Sequence, residues 1–269
     1  MIQRLRLLVL AACSLAAIAA VPTRAADYPT RPVTWVVPYP PAGTTDVLAR
    51  IVAQWLSEKL GQTFVIENKP GAGNNLGVQY VVNSAADGYT MLLVNPANGI
   101  NATLYKNLSF NFIRDIAPVA GLVRTPNVMV VTPKLPVKTV AEFIAYCKQN
   151  PGKINMASSG SGTSVHLSGE LFKSMTGCDM LHVPYKGAGP ALTDLMGGQV
   201  DVIFDNLPSS MGHIKSGKIR ALADPKMRAK LAELGGKPIA GTPEDFGKVI
   251  AAETAKWEKV VISSGAKVE

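Results

Sequence analysis

Residues 33–77 read VTWVVPYPPAGTTDVLARIVAQWLSEKLGQTFVIENKPGAGNNLG. VTWVVP (33–38) is a short apolar run of β-branched and aromatic residues, the composition of a buried strand. The loop YPPAGTTD (39–46) follows. Val47, Leu48, Ile51, Val52, Trp55 and Leu56 then recur on one helical face, and the helix closes at Gly61. TFVIEN (63–68) is the next strand, and KPGAGNNLG (69–77) is a glycine-rich loop that opens a short helix. Strand, loop, helix and strand in this order predict a parallel βαβ unit.

The alternation continues. YTMLLV (89–94) follows the turn ADG (86–88). Beyond it come NVMVVTP (127–133), a helix at VAEFIAYCKQN, a strand at KINMASSG and a helix from Thr163 to about Met175. DMLHVPY, PALTDLMGG, VDVIFDN, PSSMGHIKSG and KIRALA extend the pattern. It occurs on both sides of an irregular stretch at 100–126, which predicts two α/β lobes, each a mostly parallel sheet flanked by helices. Asp224-Pro225 and Thr242-Pro243-Glu244 open two final helices.

Residues 1–25 carry Arg4 and Arg6, an apolar run from Leu7 to Val21, and small residues around Arg24. This is the pattern of a cleavable secretory leader. The run is shorter than the roughly 20 residues of a membrane span and ends in Pro22. Leu10-Ala11-Ala12-Cys13 resembles a lipobox, but apolar residues continue past Cys13, against lipidation there. Removing Arg4, Arg6 and Arg24 lowers the formal charge from +8 to +5. No basic cluster interleaves with aromatics, so nucleic acid is not a partner, and a mild positive field suits a small anion. Cys147 and Cys178 remain as an even pair in a compartment that permits disulfides. They are placed in the second lobe near the ends of successive helices, with a bridge and two buried free thiols both left open.

In open α/β sheets, ligands sit beyond the carboxyl ends of strands. The loops there are YPPAGTTD, NKPGAGNN, NPANG, SSGSGTS, PYKGAG and DNLPSS, rich in Gly, Ser, Thr and Asn. Helix N-terminal N–H groups and hydroxyls of this kind bind an anion without catalytic charge. GHIKSGKI (212–219) misses a phosphate loop, because Ile219 stands where a hydroxyl must bind magnesium, and Gly217 reads as a helix stop. GAGNNLG (71–77) misses the dinucleotide fingerprint by one residue. His166, His182 and His213 lack paired metal-ligand spacing. A hydrolase built on Ser161 or Ser164 with His166 and Asp205 has no nucleophile elbow, and Ser164 and His166 diverge on a helix. Trp35, Trp55 and Trp257 read as core or lobe-packing residues, and Asp46 as an N-cap that fixes the loop before it.

YPTRPVTWVVPYPPAGTTDVLAR, VIENKPGAGNNLG, ADGYTMLL, NPGKINMASSGSGTSVHLSGELFKSMTG, HVPYKGAGPALTDLMGGQVDVIFDNLPSSMGHIKSGKIRALA and GTPEDFGKVIAAETAKW together resemble the Bug family, the periplasmic solute-binding proteins of tripartite tricarboxylate transporters. The resemblance covers nearly the whole chain after the leader. It implies a two-lobed, type II-like periplasmic binding protein with its ligand cleft between the lobes. It also implies a monomeric receptor that hands a small organic carboxylate to transporter membrane subunits and uses neither cofactor nor metal. The first lobe would comprise 26–122 plus 224–269, and the second 123–223.

By resemblance, the first lobe contributes Pro38, Pro41, Ala42, Gly43, Thr44 and Asp46; Tyr39 and Pro40 of the same loop and Asn95 of NPANG are candidate ligand residues with them. The second contributes Ser158, Ser159, Gly160, Ser161, Thr163 and Ser164, whose backbone and hydroxyls take the carboxylate. The loops VPYKG (183–187) and FDN (204–206), with Tyr185, Lys186, Asp205 and Asn206 as candidate contacts, line the same cleft. Thr44 replaces a usual second glycine in a loop that needs positive φ, and Asn74 stands within a usual GAGGN. At KIRALADPKMRAKL (218–231), two ALA sites of the family are fused, so a segment of the first lobe is missing at 223/224. Two other functions remain open: a ligand sensor for a receptor, and a truncated relative that no longer binds. A periplasmic hydrolase would require a Ser–His contact.

Overall fold

A computed structural model describes residues 28–222, 237–238 and 241–267. The leader, the junction at Ala223-Asp224 and the helix opened by Asp224-Pro225 lie outside the described residues. In the first lobe, β1 (Val33–Val37) lies between β2 (Phe64–Asn68) and β3 (Thr90–Leu92), all parallel. Helix α1 (Thr44–Leu60) connects β1 to β2 as the sequence predicts. Its six apolar residues do not share one face, however. Ala49 and Ala53 are buried, with Val52 and Leu56 packed beside them against Val33, Trp35 and Phe64. Val47, Ile51 and Trp55, spaced four apart, form a separate exposed row, so Trp55 is not a core residue.

The second lobe is a five-stranded sheet. Its order is β7 (Met180–Pro184), β6 (Ile154–Ser158), β8 (Val202–Asn206), β5 (Asn127–Val131) and β9 (Arg220–Ala221). Strand β6 runs parallel to β7 and β8, while β5 is antiparallel to both its neighbours. The two-residue period puts Met129 and Val131 on one face with Phe143 and Cys147, from α5 (Val140–Gln149). Val128 and Val130 face Leu192 and Leu195, from α7 (Ala188–Gly197). Helix α6 (Ser164–Thr176) follows β6, and α8 (Leu207–Lys215) follows β8. Gly217, at φ 73°, ends α8 in the left-handed conformation expected of a helix stop.

The stretch 100–126 is less irregular than its composition implies. Helix α2 (Asn75–Val82) is followed by α3 (Pro96–Leu104), α4 (Phe112–Asp115) and β4 (Val123–Arg124). PANGINATL has weak helix propensity, but its start is well capped. Asn95 Oδ1 accepts from the Ala97 N–H, Asn98 Oδ1 accepts from the Asn95 N–H, and Pro96 takes the first turn. Strand β4 pairs antiparallel with β10 (Lys237–Pro238).

Helix α9 (Pro243–Ser264) begins at Thr242, whose hydroxyl accepts from the Asp245 N–H. It packs on both α3 and α6, and Trp257 and Val261 share one apolar cluster with Ile100, Leu104 and Leu167. A Cβ added at Gly99 would lie 2.8 Å from Thr254 Oγ1, so a larger residue would push the two helices apart. Cys147 and Cys178 lie where expected but are free and buried, so the bridge is absent. Burial, with the neighbouring Cys178 thiol and Asp179, pushes the Cys147 thiol up to about 12, leaving it protonated and inert.

Truncating Trp257 empties a core shared by helices from both lobes. Trp257→Ala is expected to lower unfolding stability by about 3–5 kcal/mol in urea titration. A loss below about 1 kcal/mol would mean that this cluster does not join them.

Candidate functional site

The loops at the carboxyl ends of β1, β6, β7 and β8 meet in one cleft. Their N-cap residues, Gly43 for α1, Thr163 for α6, Gly187 for α7 and Asn206 for α8, all line a cavity of about 20 Å³. Four helix N-termini therefore converge where no side chain of either charge lines the wall. Thr44 Oγ1 and Ser159 Oγ stand at this cavity, buried and without a hydrogen-bond partner in the protein. An unmet buried hydroxyl costs about 1–3 kcal/mol, so both call for a ligand or water.

A second cavity of about 260 Å³ shares Tyr39 and Ser159 with the first. Gly160, Ser161, Tyr185 and Lys186 line it from the second lobe, and Asn74 and Tyr105 from the first. The lobes touch directly beside these cavities. A Cβ at Gly162 would lie 2.2 Å from Asn101 Oδ1, and one at Gly187 would lie 2.9 Å from Pro40 Cδ. Only glycine permits this approach.

The first loop is fixed by Asp46. Its Oδ2 accepts from the Ala42 N–H at 3.0 Å and from Arg50 Nε at 3.0 Å, while Oδ1 accepts from Arg50 Nη2 and Asn68 Nδ2, both at 2.9 Å. Asn68 Nδ2 also donates to the Tyr39 carbonyl at 2.8 Å. Burial alone would push the Asp46 carboxyl up. Hydrogen bonds from Arg50, Asn68 and Ala42, with the Arg50 charge, hold it below the usual carboxylate range. Asp46 is not the N-cap, because Gly43 holds that place and Asp46 lies inside the first turn. Positive φ falls on Ala42, at 72°, so the β-carbon at Thr44 meets no such restriction. Asn74 takes φ 85°, a conformation asparagine tolerates.

Tyr39 OH donates to Asn95 Oδ1 at 3.3 Å and accepts from Asn74 Nδ2 at 3.0 Å. Burial pushes this phenol up to about 12, so it remains a hydroxyl. In the second lobe, Thr163 Oγ1 donates to the Gly160 carbonyl at 2.7 Å and accepts from the His166 N–H at 3.2 Å. Tyr185 OH donates to Asp194 Oδ2 at 2.6 Å.

Tyr39, Pro40, Gly43, Thr44, Ser159, Gly160, Ser161, Thr163, Ser164, Tyr185, Lys186 and Asn206 line one or both cavities. Ala42, Asp46, Asn95, Ser158 and Asp205 do not; Asp46, Asn95, Ser158 and Asp205 stand behind the walls and brace them, while Ala42 is exposed on the loop. Asp205 is fully buried, and Ser209 and Ser210 donate to its Oδ2 at 2.5 and 2.6 Å. Burial raises its carboxyl above the usual range despite those bonds. Sequence reasoning placed Gly187 and the PYKGAG loop at the cleft, and the start of α7 at Ala188 and Gly189 joins them there, but it missed Tyr105 as a wall residue. It also missed a Ser–His contact. Ser158 Oγ and His182 Nε2 are 2.7 Å apart, brought together by the β6–β7 pairing. Ser158 is 0% exposed and lines neither cavity, so this pair has no access to a substrate. Among the described residues there is no His, Cys, Asp and Glu group fit for a metal ion, and no helix long and apolar enough to cross a membrane.

A two-lobed α/β body with a cleft of helix N-termini defines a solute-binding protein. The family model described as "Tripartite tricarboxylate transporter family receptor" matches residues 48–228. BugT of Bordetella pertussis is 33% identical over 307 residues, covering 93% of this chain and 94% of the relative. An R. palustris protein solved with adipate is 34% identical at a TM-score of 0.84, covering 90% of this chain and all of that one. MatC from Rhodopseudomonas palustris with bound malate is 29% identical at 0.70, covering 90% and 91%. The chain belongs to the tripartite tricarboxylate transporter receptor family, whose Bug members include BugT. The alignment with BugT runs over 307 positions against the 269 residues of this chain, so at least 38 positions of BugT have no counterpart here.

Asp46→Asn removes the charge that holds Ala42 and Arg50. At pH 7 the variant is expected to lose about 1–3 kcal/mol in urea unfolding. Asp46 has its folded-state pKa lowered, so its contribution is full above the ordinary carboxylate value and is lost as pH falls through the folded value. The gap between variant and wild type should therefore close below about pH 4. A gap that does not depend on pH would show that the charge is irrelevant.

Proposed function

We propose that this chain binds one small organic carboxylate, closes its lobes over it and delivers it unchanged to the membrane subunits of a tripartite transporter. The observation that carries the proposal is the uncharged cavity at four helix N-termini, with the unmet hydroxyls of Thr44 and Ser159. The convergent N–H dipoles supply the positive field for the carboxylate, and the hydroxyls complete its hydrogen bonds. The narrow cavity takes the carboxylate head, and the larger one takes the rest of the molecule with its waters. The relatives solved with adipate and with malate support a carboxylate as the ligand. Closure follows because the ligand touches Thr44 on one lobe and Ser159 on the other, which stabilises the closed state over the open one. The site residues are those lining the two cavities. The protein is a periplasmic monomer exported by residues 1–25, with its lobes divided near residues 122 and 223.

A second possibility, a relative that no longer binds, draws on the positions of BugT without counterparts. We place them at Ala223-Asp224, where they would leave the first lobe short of cover. One experiment separates the two. Purified chain lacking residues 1–25 is melted with monocarboxylates, with dicarboxylates of three to six carbons, and with neutral sugars. A cooperative melt whose midpoint rises with one carboxylate class alone is expected. Thr44→Val and Ser159→Ala are each expected to weaken that ligand about tenfold. A cooperative melt unmoved by every carboxylate would favour the non-binding relative, and turnover of any of them would overturn the receptor.

A further inference from the structure

Behind the Ser158–Ser164 loop lie two histidines that no ligand would touch. His166, on α6, is 2% exposed, and its ring stacks on that of His182, on β7, at 4.0 Å and 19°. Gly162 N–H donates to His166 Nδ1 at 3.3 Å. A backbone N–H can only donate, so Nδ1 carries no proton, and the ring proton sits on Nε2, which faces Glu170 Oε1 at 3.9 Å. Gly160 N–H donates to Ser158 Oγ at 3.2 Å, and Ser158 Oγ shares a 2.7 Å hydrogen bond with His182 Nε2 whose donor is set by the His182 tautomer. Gly160 and Gly162 have φ of 120° and 83°, and these bonds fix the loop at alternate residues, leaving Ser159 Oγ free for the cleft.

We infer that His166 and His182 are positioning residues for the ligand loop, their unprotonated ring nitrogens being the acceptors that set Gly162 and Ser158. The inference rests on the proposal that Ser159–Ser164 forms the carboxylate wall. The charged groups around the pair are Glu170 and Lys173 of α6, themselves paired at 3.0 Å. Burial, then the Lys173 charge, lowers His166 to about 4. Burial, His166 and Lys173 likewise bring His182 to about 4 against the opposing pull of Glu170. Both rings are therefore neutral at neutral pH. Protonating His166 at Nδ1 would turn it into a donor facing the Gly162 donor, and two stacked cations would repel. Because the folded values lie below the usual 6.5, stability falls as pH drops from about 6.5 toward 4.

The test uses two pairs of variants, with adipate and malate as calorimetric probes. His166→Asn sets an amide oxygen near the place of Nδ1, and His182→Gln does so for Nε2, whereas His166→Leu and His182→Phe keep bulk without an acceptor. The Asn and Gln variants are expected to bind within about threefold of wild type, and the Leu and Phe variants about tenfold more weakly. Wild-type affinity should fall about tenfold between pH 6 and 4 relative to the His166→Asn/His182→Gln double variant, a ratio that cancels the titration of the probe itself. Without ligand, exchange protection at the Gly160 and Gly162 amides should fall about tenfold in the Leu and Phe variants alone. In wild type, which needs no substitution, protection at Gly162 should fall as pH approaches 4.

Unchanged protection in wild type across that range overturns the inference. So does equal damage from Asn and Leu at 166, or from Gln and Phe at 182. If wild type binds neither probe while the protection pattern holds, the positioning role stands and only the carboxylate assignment fails.

Discussion

The site depends on the carboxylate of Asp46. An alanine at φ 72° is unfavourable by about 1–2 kcal/mol, and Ala42 holds that conformation because its N–H is bound by Asp46. The same carboxylate reaches Asn68 at the end of β2, and Asn68 binds the Tyr39 carbonyl at the end of β1. One buried charge thus ties two strand ends and a helix start into a frame, so Thr44 meets the cleft without adjusting when ligand arrives. Arg50 covers the outer side of the charge and remains half-exposed, which avoids the cost of burying both members of an ion pair.

The second lobe reaches the same result by other means. Its loop has no internal ion pair and is set by hydroxyls, glycines and neutral imidazoles. Both halves keep formal charge out of the narrow cavity, so the field there comes from backbone dipoles. A fixed cationic side chain would grip an anion more strongly but would also retain it. Dipoles and hydroxyls suit a carrier that must release its cargo, and their small size lets one scaffold serve molecules of different length through water.

The βαβ alternation was readable because buried parallel strands and amphipathic helices differ in period, and the glycine stops and Pro-led starts agreed with it. What failed was local. PANGINATL looks like loop because its helix rests on an asparagine cap and on packing against α9, neither of which is a propensity. The six apolar residues of α1 looked like one face because the face was drawn too wide; geometry divides it into a stripe on the sheet and a row in solvent. Asp46 was correctly tied to its loop but given the wrong position. The contact between Ser158 and His182 spans 24 residues and exists only through strand pairing, so no spacing could announce it. At Ala223-Asp224 the sequence reads smoothly as strand followed by capped helix, and only likeness to a family raises the expectation that a segment is missing there.

Helix α9 carries a mechanical consequence. It lies against α3 of one lobe and α6 of the other, with Trp257 wedged between them. Any change in the width of the cleft must be taken up where this helix meets the two lobes. Its outer side carries Ile262, 70% exposed. A surface resting on Ile262 would sense whether the trap is full without contacting the cargo.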